Sequence, residues 1–266
     1  MSFSPAARAR LRQAVALIGL LLMAICFFWW QQLPAPEGPG VSANRNAPPP
    51  ALVGLVVIDA GHGGQDSGAM RNGISEKDLT LDVALRIEGL ARVRGFRTLL
   101  TRPNDTWISL PARAALANRE NDCVFVSVHF DEGNRAVATG VQTFYANHSA
   151  PKTLAASWLS FLQPVHSEEA NFEGQSLAGL VQEALVARTH AFDRGTRAEQ
   201  FFVVANVRHP AVLVEGGFLS NNDDLARLRT EDYRQQLAAA ITDGIAHYRD
   251  IVRERAQALA RETDPR

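Results

Sequence analysis

Short, almost unbroken apolar runs recur along the chain at residues 52–58, 96–100, 124–128, 141–145, 201–204 and 211–214. Runs of this length, rich in β-branched and aromatic residues, predict strands buried on both faces. Between them the apolar positions return every three or four residues. Leu79, Val83, Ile87 and Leu90 form one stripe, closed by Gly95. Leu110, Ala114 and Ala117 form a second; Leu177, Leu180, Val181, Ala184 and Leu185 a third; Leu237, Ala240, Ile241 and Ile245 a fourth. These are helical spacings, and a glycine after the last apolar position is a stop signal. Strands alternating with helices predict an α/β fold: a three-layer domain with a central, mostly parallel sheet flanked by helices.

One run differs in kind. Residues 14–30, "AVALIGLLLMAICFFWW", carry no charge, close to the lower limit of about 17–25 residues for a membrane span. Arg8, Arg10 and Arg12 precede it, and the next positive charge is Arg45. Positive charge on one flank predicts a cytoplasmic N-terminus, residues 1–13, and a single N-terminal transmembrane helix acting as signal anchor, residues 14–32, with the rest outside the cytoplasmic membrane. Trp29 and Trp30 fit an interfacial belt. A cleaved signal peptide and a secreted product is the alternative. No small-residue cleavage site follows closely, and Ile25 is too bulky before Cys26 for a lipoprotein site. Residues 33–50, rich in Pro, Gly and Ala, read as a linker. Residues 51–250 then form the folded domain and residues 251–266 a charged C-terminal tail.

Charge alters the picture by exclusion. With 27 Lys and Arg against 28 Asp and Glu, nothing favours nucleic acid or a polybasic membrane surface. Cys26 lies in the apolar span and Cys123 in a predicted strand, so no disulfide is expected.

Chemistry enters where polar residues end the strands. "IDAGH" ends on His62, "VFVSVH" on His129 and "AVLVEGG" on Glu215. In open α/β sheets ligands sit outside the carboxyl ends of the strands, so neighbouring strands would gather these three. Glu76 follows Ser75, an N-cap candidate with Asp78 three residues on, which places it at the start of the helix after the glycine loop. Two imidazoles and a carboxylate with an open fourth position suit a catalytic zinc, and a further carboxylate can act as the general base. Gly61, Gly63 and Gly64 would let the chain turn sharply and leave room for substrate. Each residue also has a plain reading. His62 fits a solvated loop, His129 a strand-edge histidine, and Glu76 a helix start favoured by the dipole. Glu215 needs a partner if buried, and Arg113 and Arg208 are candidates. His148, His166, His190, His209 and His247 read as surface residues.

Seven ordered blocks lend these residues a common source: "IDAGHGGQDSGA", "SEKDLTLDVA", "LLTRPNDTWISLPARAALAN", "VSVHFDEG", "GVQTFYA", "DRGTRAEQFFVV" and "HPAVLVEGGFLSN". Together they resemble the zinc-dependent N-acetylmuramoyl-L-alanine amidases of bacteria, amidase type 3. The resemblance implies one zinc ion held by His62, Glu76 and His129, with Glu215 as catalytic base. It implies that water activated by zinc cleaves the amide between N-acetylmuramic acid and L-alanine of the stem peptide of peptidoglycan, outside the cytoplasmic membrane. Thr101, Arg102, Asp105 and Arg113 fall in its scaffold. A zinc peptidase cutting within the stem and a non-catalytic cell-wall regulator of the same fold are the alternatives. Two stretches depart from the pattern. Phe130-Asp131-Glu132 stands where many members have Ala-Asn, which adds carboxylates near the metal. Residues 147–175 contain an apolar cluster at Trp158, Leu159, Phe161 and Leu162. In some relatives an inserted helix here blocks the zinc until an activator protein moves it, so an activator is a candidate partner. Glu168, Glu169 and Glu173 are the candidate blocking ligands; an ordinary surface helix and loop is the simpler reading.

Overall fold

The computed structural model describes residues 53–131, 137–147 and 171–263. The predicted span, the linker and most of the 147–175 stretch lie outside them. Among the described residues no helix is long and apolar enough to cross a membrane.

Six strands form one sheet: β1 (Leu55–Ala60), β4 (Arg97–Leu100), β5 (Cys123–Asp131), β6 (Val141–Tyr145), β7 (Asp193–Ala198) and β8 (Ala211–Phe218), in the order β4-β1-β5-β8-β6-β7. β1 pairs parallel with β4 and β5, and β5 parallel with β8. β6 runs antiparallel to β8, and β7 parallel to β6, so the sheet is mostly parallel, as predicted. The remaining two strands, β2 (Met70–Arg71) and β3 (Ile74–Ser75), form a small hairpin. Its turn residues Asn72 and Gly73 both have positive φ, 50° and 77°, the twist that a two-residue hairpin needs.

The strands alternate between two cores. Val56, Ile58, Val124, Val126, Val212 and Val214 face one layer of helices: α1 (Glu76–Val93), α3 (Phe172–Thr189) and α6 (Glu231–Thr263). Leu55, Val57, Phe125, Ala211 and Leu213 face the thinner opposite layer, α2 (Leu110–Asn118) and α4 (Phe202–Ala205). A strand covered on both sides cannot alternate polar with apolar, which is why these runs are so uniformly apolar. The helix α5 (Asn222–Leu228) follows β8. The predicted stripes face the cores, except that Leu110 at the start of α2 is exposed, and Gly95, at φ 79°, follows the end of α1.

One expectation is corrected and two features are added. Residues 201–204 form no strand; they enter the single turn α4, which buries Val203 and Val204 while Phe201 stacks edge-on against Phe144 at 5.1 Å. A four-residue apolar run fits either period, and packing decides it. β7, "DRGTRA", was not anticipated: as an edge strand it needs no apolar face. The charged stretch after residue 250 continues α6 without a break to Thr263.

Candidate active site

The site is built at the carboxyl ends of β1, β5 and β8. β1 ends at Ala60 and the chain turns through Gly61 to Gly64. His62 itself has φ 61°, a left-handed conformation that costs a non-glycine residue free energy and needs support. Two buried arginines provide it. Arg113 donates from Nη2 to the His62 carbonyl at 2.5 Å, and from Nη1 to the Ala60 carbonyl and to Asp59 Oδ1. Arg102 donates to the carbonyls of Ala60, Gly61 and Lys77 and to Thr80 Oγ1. Asp59, fully buried, also accepts from Thr101 Oγ1 and Ser127 Oγ at 2.7 Å each. Its charge is therefore paired and hydrogen-bonded, the condition under which burial is tolerated. The scaffold reading of Thr101, Arg102 and Arg113 holds.

Three predicted ligands converge. Glu76 Oε1 lies 3.0 Å from His62 Nε2 and 3.0 Å from His129 Nδ1. The histidine rings meet edge to face, with centroids 4.9 Å apart. One donor atom from each of the three residues falls within 4.8 Å of the others. Backbone groups orient the carboxylate: Phe130 N–H donates to Oε1 at 3.0 Å and Ala69 N–H to Oε2 at 2.9 Å. Burial alone would raise the Glu76 carboxyl, but hydrogen bonds and charge from the two histidines outweigh it and hold it well below the ordinary carboxylate range. Burial works against the charged form of His62 as well, yet Glu76 and Asp66 together raise its pKa. Glu76 begins α1, and Ser75 is its N-cap by position; its hydroxyl donates to Asp78 at 2.5 Å rather than capping a backbone N–H.

Asp66 was not singled out from the sequence. Its Oδ2 lies 2.9 Å from His62 Nδ1, so in the neutral ring it holds the hydrogen on Nδ1 and leaves the Nε2 lone pair free for a metal. A carboxylate behind a ligating histidine is a recurrent feature of metal sites. Its signal was an acid four residues after His62 within the glycine loop. The donor chemistry fits zinc: two imidazoles and one carboxylate, with His62 held from behind by Asp66 and Glu76 by the backbone N–H groups of Ala69 and Phe130.

The glycines serve the ligands more than the substrate. A β-carbon at Gly61 would lie 2.4 Å from the His129 ring, and one at Gly68 would lie 2.5 Å from Glu76 Oε2. Gly63 and Gly64, at φ 122° and 59°, make the sharp turn.

Glu215 stands directly across from His129 in the β5–β8 register. Neither arginine candidate pairs with it. Arg113 is engaged with Asp59 and the His62 turn, and among the described residues the buried Glu215 Oε2 has no hydrogen-bond partner. Burial, then the charges of Glu76 and Asp131, raises its pKa well above the ordinary carboxylate value. The Asp131 contribution comes from the departing "FDE" stretch, while Phe130 is buried and packs beneath Gly216. Of the proposed blocking ligands, Glu168 and Glu169 lie outside the described residues. Glu173 sits in the first turn of α3 and acts on His209, which precedes β8 and so lies at the end of that strand away from Glu215. His190 and His247 are exposed and His209 half-buried; none of the three belongs to the cluster.

Fold and side chains together define a class, a three-layer α/β domain with a histidine–glutamate–histidine cluster at its strand ends and a separate carboxylate beside it. The comparisons carry this to a family. The N-acetylmuramoyl-L-alanine amidase model matches residues 56–247, and the chain belongs to that family. It is 30% identical over 220 residues to the N-acetylmuramoyl-L-alanine amidase AmiA of Escherichia coli (strain K12), covering 73% of this chain and 75% of AmiA. Its fold is similar to the crystal structure of N-acetylmuramoyl-L-alanine amidase from Clostridium difficile 630, with TM-score 0.64, 32% identity, and 75% of this chain and 98% of that one covered. It also resembles the CwlD amidase of Clostridioides difficile, solved in complex with the GerS lipoprotein, with TM-score 0.63, 26% identity, and 74% of this chain and 98% of that one covered.

Proposed function

We propose that the chain hydrolyses peptidoglycan at the amide between N-acetylmuramic acid and L-alanine, with one zinc ion held by His62 Nε2, Glu76 Oε1 and His129 Nδ1. The family is one of peptidoglycan hydrolases, and the cluster has the donor set that the reaction needs. Zinc bound there supplies a Lewis acid and lowers the pKa of water towards neutrality. The protein's own groups do the rest. Asp66 orients His62, and the backbone N–H groups of Ala69 and Phe130 orient Glu76. Glu215 takes the proton of the attacking water and hands it to the departing alanine nitrogen. The observation that carries this assignment is the unpartnered, buried Glu215 Oε2 across from His129. A carboxylate placed there without a cation is costly to the fold, and a proton-transfer role accounts for it.

The same reading extends to residues outside the described ones. Residues 14–32 anchor the protein in the cytoplasmic membrane and residues 33–50 tether the catalytic domain on the outer, periplasmic side. The long apolar span and its arginine-rich flank support this. An activator protein is a candidate partner; the structurally similar CwlD was solved in complex with a second protein, the GerS lipoprotein.

The test is a digest of purified peptidoglycan by the zinc-loaded protein beside its Glu215→Ala variant, with fragments identified by mass spectrometry. Free stem peptides beginning at L-alanine, released by the unmutated protein alone, are the expected result. Fragments cut inside the stem would replace this reading with that of a zinc peptidase.

A further inference from the structure

At the metal cluster lies a cavity of about 260 Å³ whose lining includes His62, His129 and Asp66 together with Trp107, Leu110 and Phe202. Trp107, Leu110 and Phe202 are large apolar side chains left 51%, 50% and 42% exposed. An apolar surface grouped this way beside a reaction centre calls for an occupant. The wall is also built in advance. Asp105 accepts from Gly64 N–H at 2.7 Å and from Lys77 Nζ at 2.6 Å. Arg113 Nε donates to the Ile108 carbonyl at 2.9 Å. The loop carrying Trp107 is therefore tied on both sides to the turn that carries His62.

We infer that this cavity is the subsite for the sugar half of the substrate, with the indole of Trp107 stacked on the N-acetylmuramic acid ring and the stem peptide leaving by the opposite flank. The inference rests on the amidase reading and assigns the two halves of the substrate to two sides of the metal.

Three observations support it. Glu215 is not part of the cavity wall; it stands on β8, beyond His129 from β1. Because Glu215 protonates the departing nitrogen, the peptide half must lie on the β8 side and the acyl half, which carries the sugar, on the β1 side. The cavity's charges point the same way. The one arginine among its described lining residues, Arg113, is taken up by Asp59 and the carbonyls of Ala60, His62 and Ile108, so it is not free to pair with a peptide carboxylate. An uncharged pyranose face is suited to an aromatic platform with polar groups at its rim. The size agrees too: a cavity below the usual range of about 300–1,000 Å³ for drug-sized ligands fits one sugar ring rather than an extended peptide.

Equilibrium binding to the zinc-loaded full chain separates the halves. The probes are N-acetylmuramic acid, lactic acid (the same metal-binding acid without the sugar) and the free stem peptide, each titrated by calorimetry into the wild type, Trp107→Ala and Phe202→Ala. The expected result is that N-acetylmuramic acid binds the wild type more tightly than lactic acid does. Trp107→Ala should remove about tenfold of that affinity and leave lactic acid and stem peptide unchanged. Phe202→Ala should act in the same direction. Equal sugar binding by wild type and Trp107→Ala, or a loss confined to the stem peptide, would overturn the subsite. So would N-acetylmuramic acid binding no better than lactic acid. Hydrolysis of a muropeptide by the wild type is followed separately: sugar binding as expected without amide cleavage would count against the amidase reading and leave the subsite standing.

Discussion

Glu215 and Asp66 show how two carboxylates of one site take opposite tasks. Glu215 has a buried Oε2 without a hydrogen-bond partner among the described residues, and its pKa is raised. A carboxyl raised in the folded state binds more protons folded than unfolded. Stability of the metal-free protein therefore falls as pH climbs from the ordinary carboxylate value through the raised one. Glu215→Gln removes that dependence. The metal-free variant should melt above the wild type at neutral pH and show a flatter pH profile by calorimetry, while hydrolysis drops about 10²–10⁴-fold. A variant that melted lower would mean the carboxylate is paired in solution. Asp66 is exposed and its value to the site is orientation. Asp66→Ala should lower zinc affinity about 10–100-fold, measured by chelator competition, with the melting temperature of the metal-free protein little changed.

At the scale of elements, the site depends on how closely three segments approach. The β1–α1 turn passes so near β5 that Gly61 leaves no space for a β-carbon beside the His129 ring. Gly61→Ala should fold, since Gly61 is not among the positive-φ positions. It should force the His129 ring aside and lose bound zinc and at least about 90% of activity, a barrier increase of about 1.4 kcal/mol or more; metal analysis alongside circular dichroism checks both. Full zinc occupancy in a folded Gly61→Ala protein would show that the turn can retreat from β5. A mostly parallel sheet was foreseeable from the apolar runs, whereas the adjacency of β1, β5 and β8 came only with the structure. The exchange of 201–204 from strand to helical turn was not, because a run of four residues has no period to read. Nor was β7, whose polar residues satisfy one strand neighbour and solvent.

For the whole molecule, the cluster joins the β1 turn, the start of α1 and the end of β5, so zinc should tie the layers together. Ligand binding to the folded state alone stabilises by mass action, about 4 kcal/mol when free metal exceeds its dissociation constant a thousandfold. Zinc should accordingly raise the melting temperature of the wild type, and His129→Ala should abolish most of the shift. An undiminished shift in His129→Ala would place the stabilising metal elsewhere.

The sequence alone determined that strands alternate with helices around a mostly parallel sheet, and it offered His62, Glu76, His129 and Glu215 as the candidate chemical residues, Glu76 with the aid of ordered motifs across the chain. These are local or patterned properties: periodicity, stop signals, and polar residues where apolar runs end. Tertiary structure decided what depends on distance between segments far apart in the chain. It placed Asp66 on His62 and left Glu215 without the arginine that pattern had offered it. It showed that Gly61 and Gly68 admit metal ligands rather than substrate, and it brought Trp107 and Phe202 to one wall. No periodicity encodes these, because each is a contact created only when the sheet brings its strand ends together.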